Sequence, residues 1–211
     1  MRIHVTYAGG TIGMVDSPHG LVPGADLEGW LDSQLASTPL ARSVSVTSLE
    51  PLIDSSNATP LSWQAIVDDL RAHAAADPQT AFVILHGTDT MAYTSAALSY
   101  ALTDLSVPVV VTGSQLPLGE LGTDAAANVT GALKAATSGR IGGISLFFGH
   151  RLLAGNRATK SSSWAFTGFE SPNAAPLATT GAPWQWAQSA SSGIGWKDAA
   201  PYARHDVVVV D

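Results

Sequence analysis

Two short stretches carry residue types suited to acyl transfer. Tyr7-Ala8-Gly9-Gly10-Thr11-Ile12-Gly13-Met14 sets a glycine-flanked threonine directly after an apolar run. His86-Gly87-Thr88-Asp89-Thr90-Met91 sets a second threonine, with a carboxylate beside it, after another. A threonine hydroxyl is a weak nucleophile until a nearby base takes its proton. Gly9 and Gly10 allow a tight turn and leave amide N–H groups unshielded, able to hold the oxyanion of a tetrahedral intermediate. In a parallel α/β sheet the carboxyl ends of the strands open on one edge, so two such loops can face one crevice. Two hydroxyls and a carboxylate meeting there suggest covalent catalysis by threonine. Each loop also has a plainer reading: Thr11 in an ordinary strand-to-helix turn, and Thr88 or Asp89 as the cap of a helix beginning near Thr90. Their joint occurrence favours chemistry. Neither loop is a dinucleotide fingerprint or a P-loop, because G-x-G-x-x-G does not fit and no Gly-Lys-Ser/Thr follows.

The elements that must position these loops alternate as far as about residue 150. Strands are predicted at Ile3–Tyr7, Val44–Ile53, Ala81–Leu85, Val107–Val111 and Ile144–Phe148. Helices are predicted at Leu27–Leu35, from Pro60 behind the capping Thr59, near Tyr93–Leu102 and near Ala125–Ala136. In the helix after Thr59, Trp63, Ile66, Val67 and Leu70 recur at helical spacing. Ala81–Leu85 is the continuous apolar run that a strand covered on both faces needs. The fold class expected is α/β, a doubly wound, mostly parallel sheet with helices on both faces. From Arg151 the character changes, and 161–204 is rich in Ser, Ala, Gly, Pro and Trp with no helical period. It reads as an irregular cover or a linker, with Trp184, Trp186 and Trp196 as packing clamps, before a strand-like Val207–Val210.

Composition narrows the function. The 211 residues include 10 Lys and Arg against 17 Asp and Glu, a formal net charge of −7, which argues against a nucleic-acid partner. There is no cysteine, hence no disulfide framework and no thiolate. No signal peptide or membrane-spanning run is visible, so the expectation is a soluble, cytoplasmic protein. The six histidines show no H-x-x-x-H and no mixed Asp and His cluster, so no metal site is expected.

Five segments together resemble the bacterial type I L-asparaginases: Tyr7–Met14, Leu52–Asn57, Phe82–Tyr93, Val111–Gln115 and Gly155–Lys160. The likeness runs over roughly residues 2–173 and rests chiefly on Gly-Gly-Thr-Ile and His-Gly-Thr-Asp-Thr-Met, the family's two signatures. The resemblance implies hydrolysis of L-asparagine to L-aspartate and ammonia through a threonine acyl-enzyme, with no cofactor. It gives Thr11 the role of nucleophile and makes Thr88, Asp89 and Lys160 a second triad that aids water activation and proton transfer. It assigns the grip on the substrate's α-carboxylate and α-ammonium to Ser55 and Asp89, with Asp54, Ser56 and Gly87 in the same binding set. It also implies a homodimer or higher homo-oligomer acting on a small amino acid.

The chain departs from that family in three places. The lid after the first threonine reads His19-Gly20-Leu21-Val22-Pro23, with Leu21 where the family has an activating tyrosine. Ala8 stands where threonine or serine is usual. The domains expected are 1–160, an asparaginase-like N-terminal catalytic domain, and 161–211, an irregular extension or linker ending in a strand, with the family's C-terminal domain absent. Leu21 keeps an alternative open, an amino-acid-binding domain with weak or no turnover. Another retains the chemistry on a different amide, as in amidotransferase subunits that release ammonia for a partner.

Overall fold

Short runs of apolar residues form the centre of the protein. The computed structural model describes residues 2–187 and Pro201. In chain order it contains β1 (Ile3–Tyr7), β2 (Met14–Ser17), β3 (Gly20–Pro23), α1 (Leu27–Leu35), β4 (Val44–Ser48), α2 (Pro60–Ala76), β5 (Ala81–Leu85) and α3 (Met91–Ala101). There follow β6 (Pro108–Thr112), α4 (Ala125–Ala136), β7 (Gly143–Phe148), β8 (Arg151–Ala154) and the two-residue strands β9 (Thr159–Lys160), β10 (Phe169–Glu170), β11 (Ala178–Thr179) and β12 (Gln185–Trp186).

Strands β4, β1, β5, β6 and β7 lie side by side in that order, all parallel. Their side chains alternate between two cores. Val5 and Val83 face α1 and α4, together with Leu31, Val129 and Phe147. Phe82 and Ile84 face α2 and α3, together with Ile66, Leu70 and Leu98. Helices thus cover both faces, as a doubly wound sheet requires. In α2, Pro60 needs no hydrogen-bond partner at the first position and Ser62 Oγ accepts from the Thr59 N–H at 3.1 Å. Buried Ile66 and Leu70 then fix which face turns inward, each worth about 1.5–3 kcal/mol in water removed.

The order of strands decides where a ligand can sit. From β1 the chain moves to β4 on one side; from β4 it crosses to β5 on the other side of β1. The connections leaving β1 and β5 therefore diverge, and a crevice opens between their carboxyl ends. The segments carrying Thr11 and Thr88 leave from those two ends. The strand predicted at Val44–Ile53 stops at Ser48, because Pro51 has no N–H to give a ladder. Leu49 and Ile53 still donate to the carbonyls of Tyr7 (3.0 Å) and Ala8 (2.7 Å), which carries Asp54 and Ser55 to the same edge.

Among the described residues beyond 160 the chain is mostly loop, yet two of its short strands join the central sheet. β8 pairs antiparallel with β7, β11 with β8 and β12 with β11. Two-residue strands carry no period that composition can betray. The tryptophan clamps are in place: Trp184 stacks on Phe147 at 5.6 Å and Trp186 on Trp184 at 5.5 Å. Lys134 Nζ lies 5.3 Å from the Trp184 ring and Arg140 5.6 Å from that of Trp186. Trp196 and the Val207–Val210 strand fall outside the described residues. Among those described, no helix is long and apolar enough to cross a membrane.

Candidate active site

Three loops meet at the crevice, and glycine stands where their backbones touch. Gly10 has φ +99, a conformation that favours glycine, and a Cβ there would lie 2.5 Å from both N and Cα of Gly87. A Cβ on Gly87 would lie 2.2 Å from Ser55 Oγ, and one on Gly9 (φ +133) 2.2 Å from the Ile53 carbonyl oxygen. The Thr11, Ser55 and Thr88 loops are packed backbone to backbone, a closeness that only missing side chains permit. Ile12 is fully buried and anchors the 3-10 turn Thr11–Gly13, leaving Thr11 half-buried beside the cavity.

Gly10→Ala is therefore expected to cost about 1–3 kcal/mol of stability. It should also lower any turnover at the site by about 100-fold, since a 1 Å misplacement of reacting groups has that effect. Thermal unfolding beside an activity assay checks both, and a variant that matches the unmutated chain would refute the packing argument.

Thr88 and Asp89 do not cap α3. The cap is Thr90, whose hydroxyl donates instead to the Ser55 carbonyl at 2.8 Å. Thr88 and Asp89 turn to Lys160, whose Nζ donates to Thr88 Oγ1 at 2.9 Å and to Asp89 Oδ1 at 2.8 Å. Lys160 reaches them because β9 pairs with β10, where Phe169 packs on Phe148 with ring centroids 5.0 Å apart. A buried aromatic thus holds the far end of a polar contact.

The turn before Thr88 is fixed by a directed chain of hydrogen bonds. The Gly87 carbonyl can only accept, so His86 Nδ1 carries the proton in their 2.8 Å contact. Burial pushes the His86 pKa down, which keeps the ring neutral and leaves Nε2 a lone pair. Thr94 Oγ1 donates to that lone pair at 3.1 Å and accepts from Trp63 Nε1 at 3.0 Å.

The loops enclose a cavity of about 450 Å³ whose lining includes Thr11, Asp54, Ser55, Gly87, Thr88, Asp89 and Lys160. Ser56 lies outside that lining; its hydroxyl donates to Asp54 Oδ1 at 2.8 Å. The Ser56 hydroxyl and amide and the Asn57 side chain hold the Asp54 carboxyl below its ordinary pKa. The geometry offers the hydroxyls of Thr11, Ser55 and Thr88, a lysine, two carboxylates and glycine-loop amides around one small space, which suits acyl transfer.

Residues 2–192 match the family model described as "Asparaginase, N-terminal". The chain belongs to the asparaginase family. It is 46% identical over 184 residues to L-asparaginase 1 of Escherichia coli K12, covering 85% of this chain and 53% of that protein. It is 38% identical over 203 residues to the 60 kDa lysophospholipase of Mus musculus, covering 86% of this chain and 36% of that one. Among solved structures, L-asparaginase I of Vibrio cholerae superimposes with a TM-score of 0.78 at 38% identity, over 96% of this chain and 60% of that one. The chain spans about half the length of the curated asparaginase it matches.

In this asparaginase-family chain several cavity residues carry no signal in the two signature loops. Gln115 lines it from the loop after β6, its amide donating to the Ala165 carbonyl at 3.0 Å while Asp124 accepts from its backbone N–H at 3.0 Å. Its position after a third parallel strand was the available clue. Ser163 lines it from the loop between β9 and β10. Tyr7, the first residue of the Thr11 stretch itself, also lines it; burial raises its pKa, so the phenol stays a donor, and its hydroxyl lies where a Gly13 side chain would be. Leu21, in the β2–β3 hairpin, is exposed and outside the lining.

One cluster is visible only in three dimensions. The sequence shows no contiguous Asp and His cluster, yet His4, Asp69 and His73 converge between β1 and α2. Residues 65 positions apart meet because β1 and α2 are packed together, which spacing along the chain does not reveal.

Proposed function

We propose that this chain hydrolyses L-asparagine to L-aspartate and ammonia, with Thr11 as nucleophile. The observation that carries the reading is the Lys160 bridge to Thr88 and Asp89 in a cavity that Thr11 also lines. Thr11 Oγ1 attacks the side-chain amide carbon, and its proton passes to the departing nitrogen, which leaves as ammonia. Water then attacks the resulting ester, returns the proton to Thr11 and releases aspartate. The Thr88–Lys160–Asp89 set aids proton transfer and water activation, and amides of the Gly10 and Gly87 loops face the developing oxyanion. Ser55 donates to the substrate carboxylate. Asp89, 59% exposed despite its lysine partner, meets the substrate ammonium. The proposal extends to a homo-oligomer in the cytoplasm.

Continuous measurement of ammonia release tests it. Turnover of asparagine should exceed that of glutamine by about tenfold or more, the discrimination that one methylene allows. Silence with both amides, beside calorimetric binding of aspartate, would replace the enzyme with the amino-acid-binding domain that Leu21 favours.

A further inference from the structure

We propose that His4, Asp69 and His73 form a site for one zinc-type divalent cation, at the end of the sheet away from the threonines. The donor set, two imidazoles and a carboxylate, is that of zinc and its neighbours rather than of magnesium or calcium. His4 Nε2 lies 3.3 Å from Asp69 Oδ2, and His73 Nδ1 lies 3.4 Å from Asp69 Oδ1. Bonds of about 2.0–2.1 Å in a tetrahedral shell separate neighbouring donors by roughly 3.3 Å, and each imidazole stands about that far from one of the two carboxylate oxygens.

His4 is 1% exposed, and its Nε2 has no hydrogen-bond partner although the ring is held by its other nitrogen. Nδ1 bonds Ser45 Oγ at 2.9 Å, across the β1–β4 pair. With Nδ1 as the donor in that bond, Nε2 carries a lone pair aimed at a carboxylate oxygen, an arrangement that a cation between them resolves. Ser45 is then the outer partner that orients a metal-bound histidine. Thr6, two residues along β1 on the same face, donates its hydroxyl to Asp69 Oδ2 and orients the carboxylate in the same way.

Asp69 and His73 stand one turn apart on α2, so both look toward β1. The rings of His4 and His73 are stacked, 3.5 Å between centroids and 19° from parallel. The Asp69 carbonyl can only accept, so His73 Nδ1 carries the proton in their contact and has no lone pair for a cation there. Binding therefore swings the His73 ring, exchanging its 2.9 Å contact with the Asp69 carbonyl for the cation. The His73 side chain is 37% exposed, so the swing gives up only that contact and the stack on His4. That exposure also gives the ion its entry path. His4, wedged against the edge of Phe82 at 6.1 Å, supplies the fixed wall.

Calorimetric titration of untagged, chelator-treated chain with zinc chloride tests the proposal. One zinc per chain is expected, with Tm raised by about 5 °C or more when free zinc is 100 times Kd. His73→Ala, on the accessible rim, should weaken binding beyond the 10–100-fold typical of losing an outer partner, and should abolish the Tm shift. His19→Ala, in the exposed β2–β3 turn, should change neither. Zinc binding that is substoichiometric, or that survives His73→Ala undiminished, overturns the site. Because His73 is on the rim, that variant keeps the test decisive even where the buried His4→Ala fails to fold.

Discussion

Replacing Thr11 by alanine is expected to cut ammonia release from L-asparagine by at least ~10³-fold and to leave the fold intact. The two halves of that expectation have different causes. Thr11 is half-buried in a turn whose hold on the core comes from Ile12, fully buried one residue later. Its hydroxyl is therefore not what anchors the loop, and stability should change by no more than about 0.5 kcal/mol, the range of substitutions away from core contacts. Catalysis, by contrast, loses the atom that forms the ester. The measurement is steady-state ammonia release beside a thermal melt, with Thr88→Ala as companion. An unchanged rate in Thr11→Ala would move the nucleophile to Thr88, whose hydroxyl already accepts from Lys160 at 2.9 Å. Mass spectrometry of enzyme quenched during turnover separates the cases, because the acyl group must sit on one threonine or the other.

What the residues disclosed and what they hid follow from the range of the forces involved. β5 and α4 are legible to their ends: a five-residue apolar run is too short for a helix and suits a strand covered on both faces, and α4's buried Ala125, Val129, Ala132, Leu133 and Ala136 recur at helical spacing. The Thr11 and Thr88 loops are legible because each follows such a strand, and parallel strands bring their carboxyl ends to one edge. Lys160 belongs to that site by virtue of a two-residue strand and of Phe169 against Phe148, contacts between segments with no period of their own. Resemblance supplied it; pattern alone did not. β11 and β12 were hidden for the same reason.

The His4–Asp69–His73 cluster shows the limit most sharply. Asp69 and His73 have the visible i,i+4 spacing, but the third member comes from β1. The clue was a histidine alternating with apolar residues in a buried strand. At such a position an imidazole needs a partner within the core.

Lys160→Ala is expected to lower turnover by about 10²–10⁴-fold, the range of a lost proton-transfer group. The same change should alter stability by about 1 kcal/mol at most, because the ion pair it breaks is solvent-exposed on the Asp89 side, 59% against 20% for the lysine. A large kinetic loss with a small thermal one separates a role in the reaction from a role in holding the loops together. Lys160→Arg sharpens the distinction. Arginine keeps the positive charge and can still donate to Thr88 and Asp89, but it does not give up its proton in the accessible pH range. If the lysine only positions the two groups, arginine restores much of the rate. If it passes a proton between Thr88 and solvent, arginine stays near the alanine level while its melting temperature returns to that of the unmutated chain. Full activity in Lys160→Ala would leave the 2.8 and 2.9 Å contacts as scaffolding and detach Thr88 and Asp89 from the chemistry.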